Sequence, residues 1–232
     1  MKRGMLYYSG KEVRIMNYKL AVFDMDGTIL DTLEDLKDSL NFALAEASCP
    51  TRTLDEVRRF VGNGMQKLIE RATPAGSSAE EKEKILASFK AHYKEHCADK
   101  TKPYDGILEL LCTLREKGCR TAVVSNKGDF AVQELNQQYF AGLMDCAIGE
   151  KAGVKKKPAP DSVNEVLKEL QIDRQDAVYI GDSEVDIETA KNAGMDCIIV
   201  SWGFREREFL KQQGAEMIVD SAEELKTRIL GV

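Results

Sequence analysis

Four short polar clusters in this 232-residue sequence contain the side chains that could carry out chemistry. They are Asp24–Thr28 (DMDGT), Ser125–Lys127 (SNK), Lys155–Pro158 (KKKP) and Gly181–Asp186 (GDSEVD). Taken singly, each is ordinary turn, loop or helix-cap chemistry. Three of the clusters directly follow predicted strands, and the third cluster lies in a loop that could reach them. Together they predict one site with four carboxylates, a lysine and a hydroxyl.

The aspartates limit what such a site can do. Asp24, Asp26, Asp182 and Asp186 would repel one another and raise their own pKa values unless a cation were present. Oxygen-only ligands suit a hard divalent ion, and Mg²⁺ is the usual choice where phosphate shares the coordination shell. We therefore expect these four residues to form a Mg²⁺ site.

A carboxylate beside a metal ion and a lysine has a defined chemical use. It stays ionised and can attack phosphorus. A second carboxyl group two residues away can protonate the leaving oxygen and then deprotonate the hydrolytic water. Phosphoryl transfer depends mostly on positioning and charge neutralisation, which Mg²⁺, Lys157, Ser125 and backbone N–H groups could supply. The pattern indicates phosphoryl-transfer chemistry.

The elements that must position these residues alternate along the chain. Apolar runs predict strands at Tyr18–Phe23, Thr121–Val124, Cys146–Ile148, Ala177–Ile180, Cys197–Val200 and Met217–Val219, and helical spacing of apolar residues fills the segments between the later strands. Strands that alternate with helices imply right-handed crossovers and a parallel sheet covered on both faces. Ligands in such sheets bind at the carboxyl ends of the strands.

A helical segment interrupts this alternation after the first strand. Helices are predicted at Thr32–Ala47, Leu54–Phe60, Met65–Ala72 and Ala79–Cys97, with no strand between residues 32 and 98. The predicted fold is a doubly wound α/β domain, residues 1–31 and 99–232, with an inserted all-helical cap, residues 32–98. Residues 1–16 are expected to be a flexible tail, as termini often are.

Composition excludes several classes of partner. A formal charge of −6 disfavours binding to nucleic acid or to an acidic membrane surface. The sequence contains no run of about 18 apolar residues and no secretory signal. Its six scattered cysteines, with no C-x-x-C pair, predict reduced thiols in a cytoplasmic protein. We expect a monomer or homodimer that acts on a small molecule.

The four clusters, in this order, resemble motifs I to IV of the haloacid dehalogenase superfamily of phosphohydrolases. The helical insert after the first motif resembles the type-1 cap of the phosphoglycolate phosphatase-like group, and the resemblance extends from about Tyr18 to the end of the chain. It implies a Rossmann-like core, Mg²⁺ as cofactor and an aspartyl-phosphate intermediate. Because dehalogenases of the superfamily typically lack the second aspartate, Asp26 argues against haloacid dehalogenation.

The resemblance also implies a role for each motif residue. Asp24 would be the nucleophile and a metal ligand, and Asp26 the acid/base, with its backbone carbonyl also reaching the metal. Lys157, which directly precedes Pro158, would neutralise the nucleophile and the phosphate. The remaining roles are loop shaping by Gly27 and Thr28, phosphoryl binding by Thr28, Ser125 and Asn126, and metal binding by Asp182 and Asp186.

The cap should determine the substrate. The segment Val61–Ala72 resembles the cap loop and helix of phosphoglycolate phosphatases, and Trp202-Gly203 also fits that group. A turn formed by Gly62, Asn63 and Gly64 at a helix start offers free N–H groups, a plausible seat for a substrate carboxylate. Lys67 and Arg71 lie one turn apart and could add charge, although solvated side chains on a cap helix explain them better.

Three function classes stay open. The first is a phosphatase for a small phosphate monoester, with 2-phosphoglycolate as the leading substrate. The second is a sugar phosphomutase of the β-phosphoglucomutase type or an inorganic pyrophosphatase. The third is a non-catalytic binding module on the same fold, against which the intact Asp24 and Asp26 argue. His92 and His96 have the spacing of a transition-metal pair, but isolated pairs at this spacing are common and rarely functional.

Overall fold

The computed structural model describes residues 5–8, 11–14 and 17–231. Near the N-terminus two strands, β1 (Met5–Tyr8) and β2 (Lys11–Arg14), pair in antiparallel fashion. The sequence predicted a flexible tail over residues 1–16. Part of that segment, residues 1–4, 9–10 and 15–16, lies outside the described residues.

A six-stranded parallel sheet forms the centre of the protein. Its strands, in spatial order, are β10 (Ile218–Val219), β9 (Asp196–Val200), β8 (Ala177–Gly181), β3 (Leu20–Phe23), β6 (Arg120–Gly128) and β7 (Cys146–Glu150). The first strand of the sheet along the chain, β3, lies between β6 and β8 and is fully buried. An apolar run without polar alternation is typical of a parallel strand that is covered on both faces. This arrangement confirms the predicted fold class.

Helices cover both faces of the sheet. They are α5 (Ile107–Glu116), α6 (Asp129–Phe140), α7 (Asp161–Leu170), α8 (Glu184–Ala193), α9 (Arg207–Gln212) and α10 (Ala222–Leu230), with a 3₁₀ turn at Arg174–Asp176. Successive strand residues point to opposite faces, so Ala21 and Phe23 belong to one apolar cluster, and Leu20 and Val22 to the other. No helix among the described residues is long and apolar enough to cross a membrane.

Four helices are inserted between β3 and β6. They are α1 (Leu33–Glu46), α2 (Leu54–Phe60), α3 (Met65–Ala72) and α4 (Ala79–His96), with no strand from residue 32 to residue 98. Thr53 and Ser78 begin α2 and α4 with capping boxes, in which each hydroxyl accepts a backbone N–H and a glutamate three residues later accepts one in return. The four helices agree with the sequence prediction.

A short strand pair connects the insert to the sheet. The strand β4 (Leu30–Asp31) leads into α1, and β5 (Lys102–Pro103) follows α4, and the two pair in antiparallel fashion. The buried carboxylate of Asp35 accepts hydrogen bonds from the backbone N–H groups of Lys100 and Thr101. The two segments that connect the insert to the sheet domain therefore lie side by side. Apolar periodicity did not predict these strands because each is only two residues long.

Candidate active site

The polar clusters meet where the parallel strands end. Asp24 follows β3, and Asp182 follows the neighbouring strand β8. Ser125, Asn126 and Lys127 lie near the end of β6 on the other side of β3. The sequence predicted that β6 ends at Val124, but β6 continues to Gly128 across a register irregularity against β7. The strand therefore extends beyond its apolar run, and irregularities of this kind are common next to active sites.

Three aspartates form a buried acidic cluster. Carboxylate oxygens of Asp24, Asp182 and Asp186 lie within 4.8 Å of one another. Burial, with a further contribution from nearby carboxylates, raises the pKa of Asp24 to about 6 even though Lys157 opposes the shift. Burial and the charges of Asp186 and Asp24 raise the pKa of Asp182 well above its usual range. Such a cluster is destabilising as three anions and is suited to hold a divalent cation.

The buried ammonium group of Lys157 partly neutralises this cluster. Its Nζ lies 2.8 Å from Oδ1 of Asp24, 2.8 Å from Oδ1 of Asp186 and 3.0 Å from the hydroxyl of Tyr179. Burial alone would lower the pKa of Lys157, but Asp186 and Asp24 raise it well above its ordinary value. The lysine therefore stays charged and fixes the position of the Asp24 carboxylate.

Backbone groups hold the other two aspartates in place. Asp182 Oδ2 accepts a hydrogen bond of 2.7 Å from the backbone N–H of Phe204. Asp186 Oδ2 accepts from the backbone N–H and the hydroxyl of Ser183, at 3.1 and 2.6 Å. Gly203 packs so closely on Asp182 that a Cβ there would lie 2.3 Å from the Cβ of Asp182. The loop after β9 is thus part of the site's framework.

The side chain of Asp26 lies apart from the acidic cluster. Its Oδ1 accepts hydrogen bonds of 2.7 Å from the hydroxyl of Thr32 and 2.7 Å from Nζ of Lys127. A contribution of Asp26 to a metal site would therefore have to come from its backbone carbonyl. Thr28 is fully buried. Its carbonyl accepts a hydrogen bond from the indole N–H of Trp202, which connects the Asp24–Thr28 segment to the loop after β9.

Asn126 links the sheet to the helical insert. Its side-chain N–H group donates to the carbonyl of Gly62 at 3.2 Å and to the carbonyl of Lys157 at 3.1 Å. The hydroxyl oxygen of Ser125 accepts a hydrogen bond of 3.3 Å from the backbone N–H of Lys127. That bond leaves the hydroxyl hydrogen of Ser125 available as a donor.

A cavity lies between the strand ends and the insert. The insert contributes apolar side chains and two glycines, and the sheet domain contributes the polar residues. The residues that line the cavity are Asp24, Asp26, Leu36, Val61, Gly62, Gly64, Met65, Leu68, Ser125, Asn126, Lys127, Asp182, Ser183, Phe204 and Arg205. Of the predicted site residues, Thr28, Asn63, Lys157 and Asp186 do not line this cavity. The lining thus combines acidic and basic groups of the sheet domain with apolar side chains of the insert.

A family model described as haloacid dehalogenase-like hydrolase matches residues 21–200 of this chain. The matched region contains β3 from Ala21 onward, the helical insert, the acidic cluster and Lys157. The chain belongs to the haloacid dehalogenase-like hydrolase family. The resemblance drawn from the four polar clusters is thereby confirmed.

Relatives within this family are phosphatases. A phosphoglycolate phosphatase of Mesorhizobium japonicum is 32% identical over 83% of this chain and 86% of its own length. A phosphoglycolate phosphatase of Colwellia psychrerythraea is 31% identical over 92% of this chain and 97% of its own. A crystal structure from Lactobacillus delbrueckii subsp. bulgaricus, provisionally assigned as a phosphoglycolate phosphatase, is 43% identical, with a TM-score of 0.89 over 94% of this chain and 100% of its own. These relatives confirm the predicted enzyme class, a phosphatase of the haloacid dehalogenase-like family.

In this hydrolase, the turn before α3 is held by an arginine of the insert. Arg71 donates to the carbonyl of Phe60 and to the side-chain oxygen of Asn63, each at 2.7 Å. Lys67 is exposed and pairs with Glu70. Neither cation lines the cavity. The exposed Lys67 agrees with its interpretation as a solvated side chain, whereas Arg71 also has a structural role that the sequence did not predict. Gly62 and Gly64 have positive φ angles of 110° and 84° and form the wall of the cavity.

Sequence reasoning gave no role to Lys127 or Arg205, two basic residues that line the cavity. The position of Lys127 directly after Ser125 and Asn126 was a usable signal, because a strand end that carries two site residues brings the third close to them. Arg205 gave no such signal, since its acceptors are on α8 and on the insert. Tyr179, whose hydroxyl accepts a hydrogen bond from Lys157, was predicted only as part of an apolar strand.

His92 and His96 have structural partners. Their rings stack at 4.2 Å, His92 also stacks on Phe42, and His92 Nδ1 lies 3.0 Å from the hydroxyl of Ser39. His96 Nδ1 lies 2.8 Å from Asp99. Across the described ranges, the histidine pair does not join a third metal-ligating side chain.

Proposed function

We propose that this protein is a Mg²⁺-dependent phosphatase that hydrolyses a small phosphate monoester through a phosphorylated Asp24. The observation that carries the proposal is the position of Asp24, which contacts Lys157 at 2.8 Å, lies within the acidic cluster and also lines the cavity. A buried carboxylate that lies beside a lysine and also faces a cavity can act as a nucleophile toward a substrate bound there.

The donor set fits a hard divalent cation. We propose Asp24, Asp182 and Asp186, or waters oriented by Asp186, as side-chain ligands and the backbone carbonyl of Asp26 as a further ligand. All of these donors are oxygens, the set that Mg²⁺ prefers. Burial and the neighbouring carboxylates raise the pKa values of Asp24 and Asp182, which supports a site that a bound cation would stabilise. Bound Mg²⁺ would neutralise the carboxylates and the phosphoryl oxygens.

The protein's own residues then divide the reaction into two steps. Asp24 attacks phosphorus, so an acyl-phosphate P–O bond forms as the ester P–O bond breaks, and Asp26 donates a proton to the leaving alkoxide oxygen. Asp26 next takes a proton from a water molecule, which attacks the phosphorus of phospho-Asp24 and releases phosphate. Lys157 holds Asp24 in place for both attacks. The hydroxyl of Ser125 and the backbone N–H of Asn126 would contact the phosphoryl oxygens, because the side-chain N–H groups of Asn126 already donate to Gly62 and Lys157. Thr28 would shape the loop.

The described arrangement of the insert supports a role as cap. We propose that residues 32–98 form a cap over a core of residues 1–31 and 99–232, with β4 and β5 as the connection. Apolar side chains of α1 and α3 cover the cavity, and exclusion of water would protect phospho-Asp24 until the leaving group departs. The six free cysteines support a reducing, cytoplasmic location.

We propose 2-phosphoglycolate as the leading substrate. The support comes from the phosphoglycolate phosphatases to which the chain is similar over most of its length. The cavity agrees with a small anionic substrate, because two basic residues, Lys127 and Arg205, line it.

Phosphate release from a panel of monoesters and pyrophosphate, in Mg²⁺ and in EDTA, tests the function. We expect release that needs Mg²⁺, is fastest with 2-phosphoglycolate and disappears in Asp24→Asn. Release that persists in Asp24→Asn would show that another residue is the nucleophile. Phosphate transfer to a hexose phosphate, with little release, would instead identify a phosphomutase, and preference for pyrophosphate a pyrophosphatase.

A further inference from the structure

We propose that Lys127 binds a second anionic group of the substrate, a carboxylate close to the phosphate ester, and so determines specificity. This inference rests on the proposed phosphatase function and names the substrate class as phosphorylated 2-hydroxy acids. Lys127 is one of two basic residues that line the cavity in the part of the chain that the structure describes.

The ammonium group of Lys127 has unused donor capacity. Its side chain is only 1% exposed, and its Nζ donates to Oδ1 of Asp26 at 2.7 Å. The ring of Tyr93, from α4 of the insert, lies 4.7 Å from Nζ and provides a cation–π contact without accepting a conventional hydrogen bond. An ammonium group has three N–H donors. A substrate in the cavity can therefore accept from Lys127 without displacing Asp26.

The other cations near the site are already engaged. Arg205 donates from Nε, Nη1 and Nη2 to Glu184, Arg58 and Val61. Lys157 contacts two carboxylates and a tyrosine hydroxyl, and it does not line the cavity. Arg205 keeps two further N–H groups, but three directed bonds fix its guanidinium group to Glu184 and to the insert backbone. Lys127 Nζ donates to Asp26 alone, so it is the cavity cation that can turn toward a new anion with the least loss of existing contacts.

The contact with Asp26 places Lys127 at the right part of the substrate. Asp26 is the proposed donor to the leaving oxygen, so that oxygen must lie within hydrogen-bond reach of Asp26. In a phosphorylated 2-hydroxy acid the carboxylate is only one carbon removed from this oxygen. A cation that shares the Asp26 carboxylate is therefore within reach of the substrate carboxylate.

The glycine turn of the insert is a weaker seat for this carboxylate. A Cβ placed on Gly64 would lie 2.8 Å from Oε2 of Glu150 and 3.1 Å from Nζ of Lys156. These two side chains have opposite charges and lie 3.8 Å apart. The turn consequently has an acidic group beside it and no net positive charge, whereas Lys127 faces the cavity from its polar wall.

A binding experiment separates recognition from catalysis. Asp24→Asn alone and Asp24→Asn combined with Lys127→Met would each be titrated in Mg²⁺ with 2-phosphoglycolate and with 2-hydroxyethyl phosphate, which has a hydroxymethyl group in place of the carboxylate. We expect Lys127→Met to weaken 2-phosphoglycolate binding by at least about 30-fold, as for loss of one partner of a buried charge pair. Binding of 2-hydroxyethyl phosphate should change less than about threefold, because its hydroxyl forms no ion pair. Lys155→Met, which removes an exposed lysine outside the cavity, is the matched control and should change neither affinity.

Equal weakening for both ligands, or no weakening for either, would overturn the assignment and leave Lys127 as a residue that only positions Asp26. If Lys127→Met fails to fold by circular dichroism, Lys127→Gln, which keeps a donor toward Asp26, gives the same comparison. The proposed function fails separately, through absence of Asp24-dependent phosphate release from any monoester by the wild-type protein.

Discussion

Arg205 donates a hydrogen bond from Nη2 to the carbonyl oxygen of Val61 at 2.8 Å and so joins the loop after β9 to the helical insert. Its Nη1 donates to the carbonyl of Arg58 at 2.9 Å, and its Nε to Oε2 of Glu184 at 3.0 Å. Glu184 begins α8, the helix that also carries Asp186. One guanidinium group therefore fixes the end of α2 relative to the acidic cluster.

We predict that Arg205→Met lowers kcat/KM by about 10- to 100-fold, as expected for loss of hydrogen bonds from a charged group. Arg205 is not a member of the acidic cluster, so we expect the loss to come from a less ordered insert over the cavity. Steady-state kinetics with the best substrate of the panel measures the effect.

Arg207→Met is the matched control for this substitution, because Arg207 lies in the same segment and pairs with Asp220 at the surface. Exposed ion pairs contribute little, so its kcat/KM should remain close to that of the wild type. Equal losses in the two variants would show that the contacts of Arg205 with the insert do not matter for turnover.

The convergence of Asp24, Asp182 and Lys157 could be predicted from sequence because it depends on topology. Apolar runs located the strands, and parallel strands bring the residues that follow them to one edge. The side chain of Asp26 could not be placed in this way. It turns toward Thr32 and Lys127, and that direction is set by the loop conformation rather than by any periodicity.

Contacts between the insert and the sheet domain were beyond prediction for a different reason. Arg205 and Val61 are 144 residues apart, and neither stands in a pattern that points to the other. Lys127 and Tyr93 likewise meet only because α4 packs over the end of β6. Apolar periodicity and composition report local structure, whereas these pairs depend on how the insert packs against the sheet domain.

Asp182 is predicted to reduce the stability of the metal-free protein. Burial, Asp186 and Asp24 raise its pKa, so its charged form is disfavoured in the native state. Asp182→Asn removes that charge with little change in shape and should raise the thermal midpoint in EDTA. Saturating Mg²⁺ should stabilise the wild type by about 2.7 kcal/mol at 100 times Kd, and should stabilise the variant much less.

Differential scanning fluorimetry in EDTA and in a Mg²⁺ series checks this prediction. Asp55→Asn changes the net charge equally at an exposed position and serves as the control. It should leave both midpoints nearly unchanged. A lower EDTA midpoint for Asp182→Asn, or an undiminished response to Mg²⁺, would contradict the proposed ligand role.

Gly203 is predicted to be essential for the position of Asp182. A Cβ at residue 203 would lie 2.3 Å from the Cβ and 2.4 Å from Oδ2 of Asp182. Gly203→Ala must therefore displace the carboxylate or the loop, and we expect at least about a tenfold loss of Mg²⁺ affinity, comparable to loss of a supporting contact at a metal site. Isothermal titration with Mg²⁺ measures it.

Gly214→Ala separates this effect from general destabilisation. Gly214 has a φ of 91° and open space around its Cβ position, so an alanine there is strained without touching the site. We expect lower thermal stability and unchanged Mg²⁺ affinity. If both glycine variants lose affinity to the same extent, close packing on Asp182 is not the cause.

The stability of the metal-free protein should fall as pH rises through the range set by Asp24. Burial raises its pKa from 3.8 to about 6 in the native state. Between these values the native state binds more protons than the unfolded state, so the free energy of unfolding decreases with pH by up to about 1.4 kcal/mol per unit. Asp24→Asn removes this contribution.

The comparison of variant and wild type also removes the contribution of His92. Burial lowers the pKa of His92, which gives a pH dependence of opposite sign that is the same in both proteins. Urea unfolding in EDTA between about pH 4 and pH 6 measures the difference between the two proteins. We expect the free energy of unfolding of Asp24→Asn to increase relative to that of the wild type as pH rises. Parallel pH dependences of the two proteins would mean that Asp24 titrates normally.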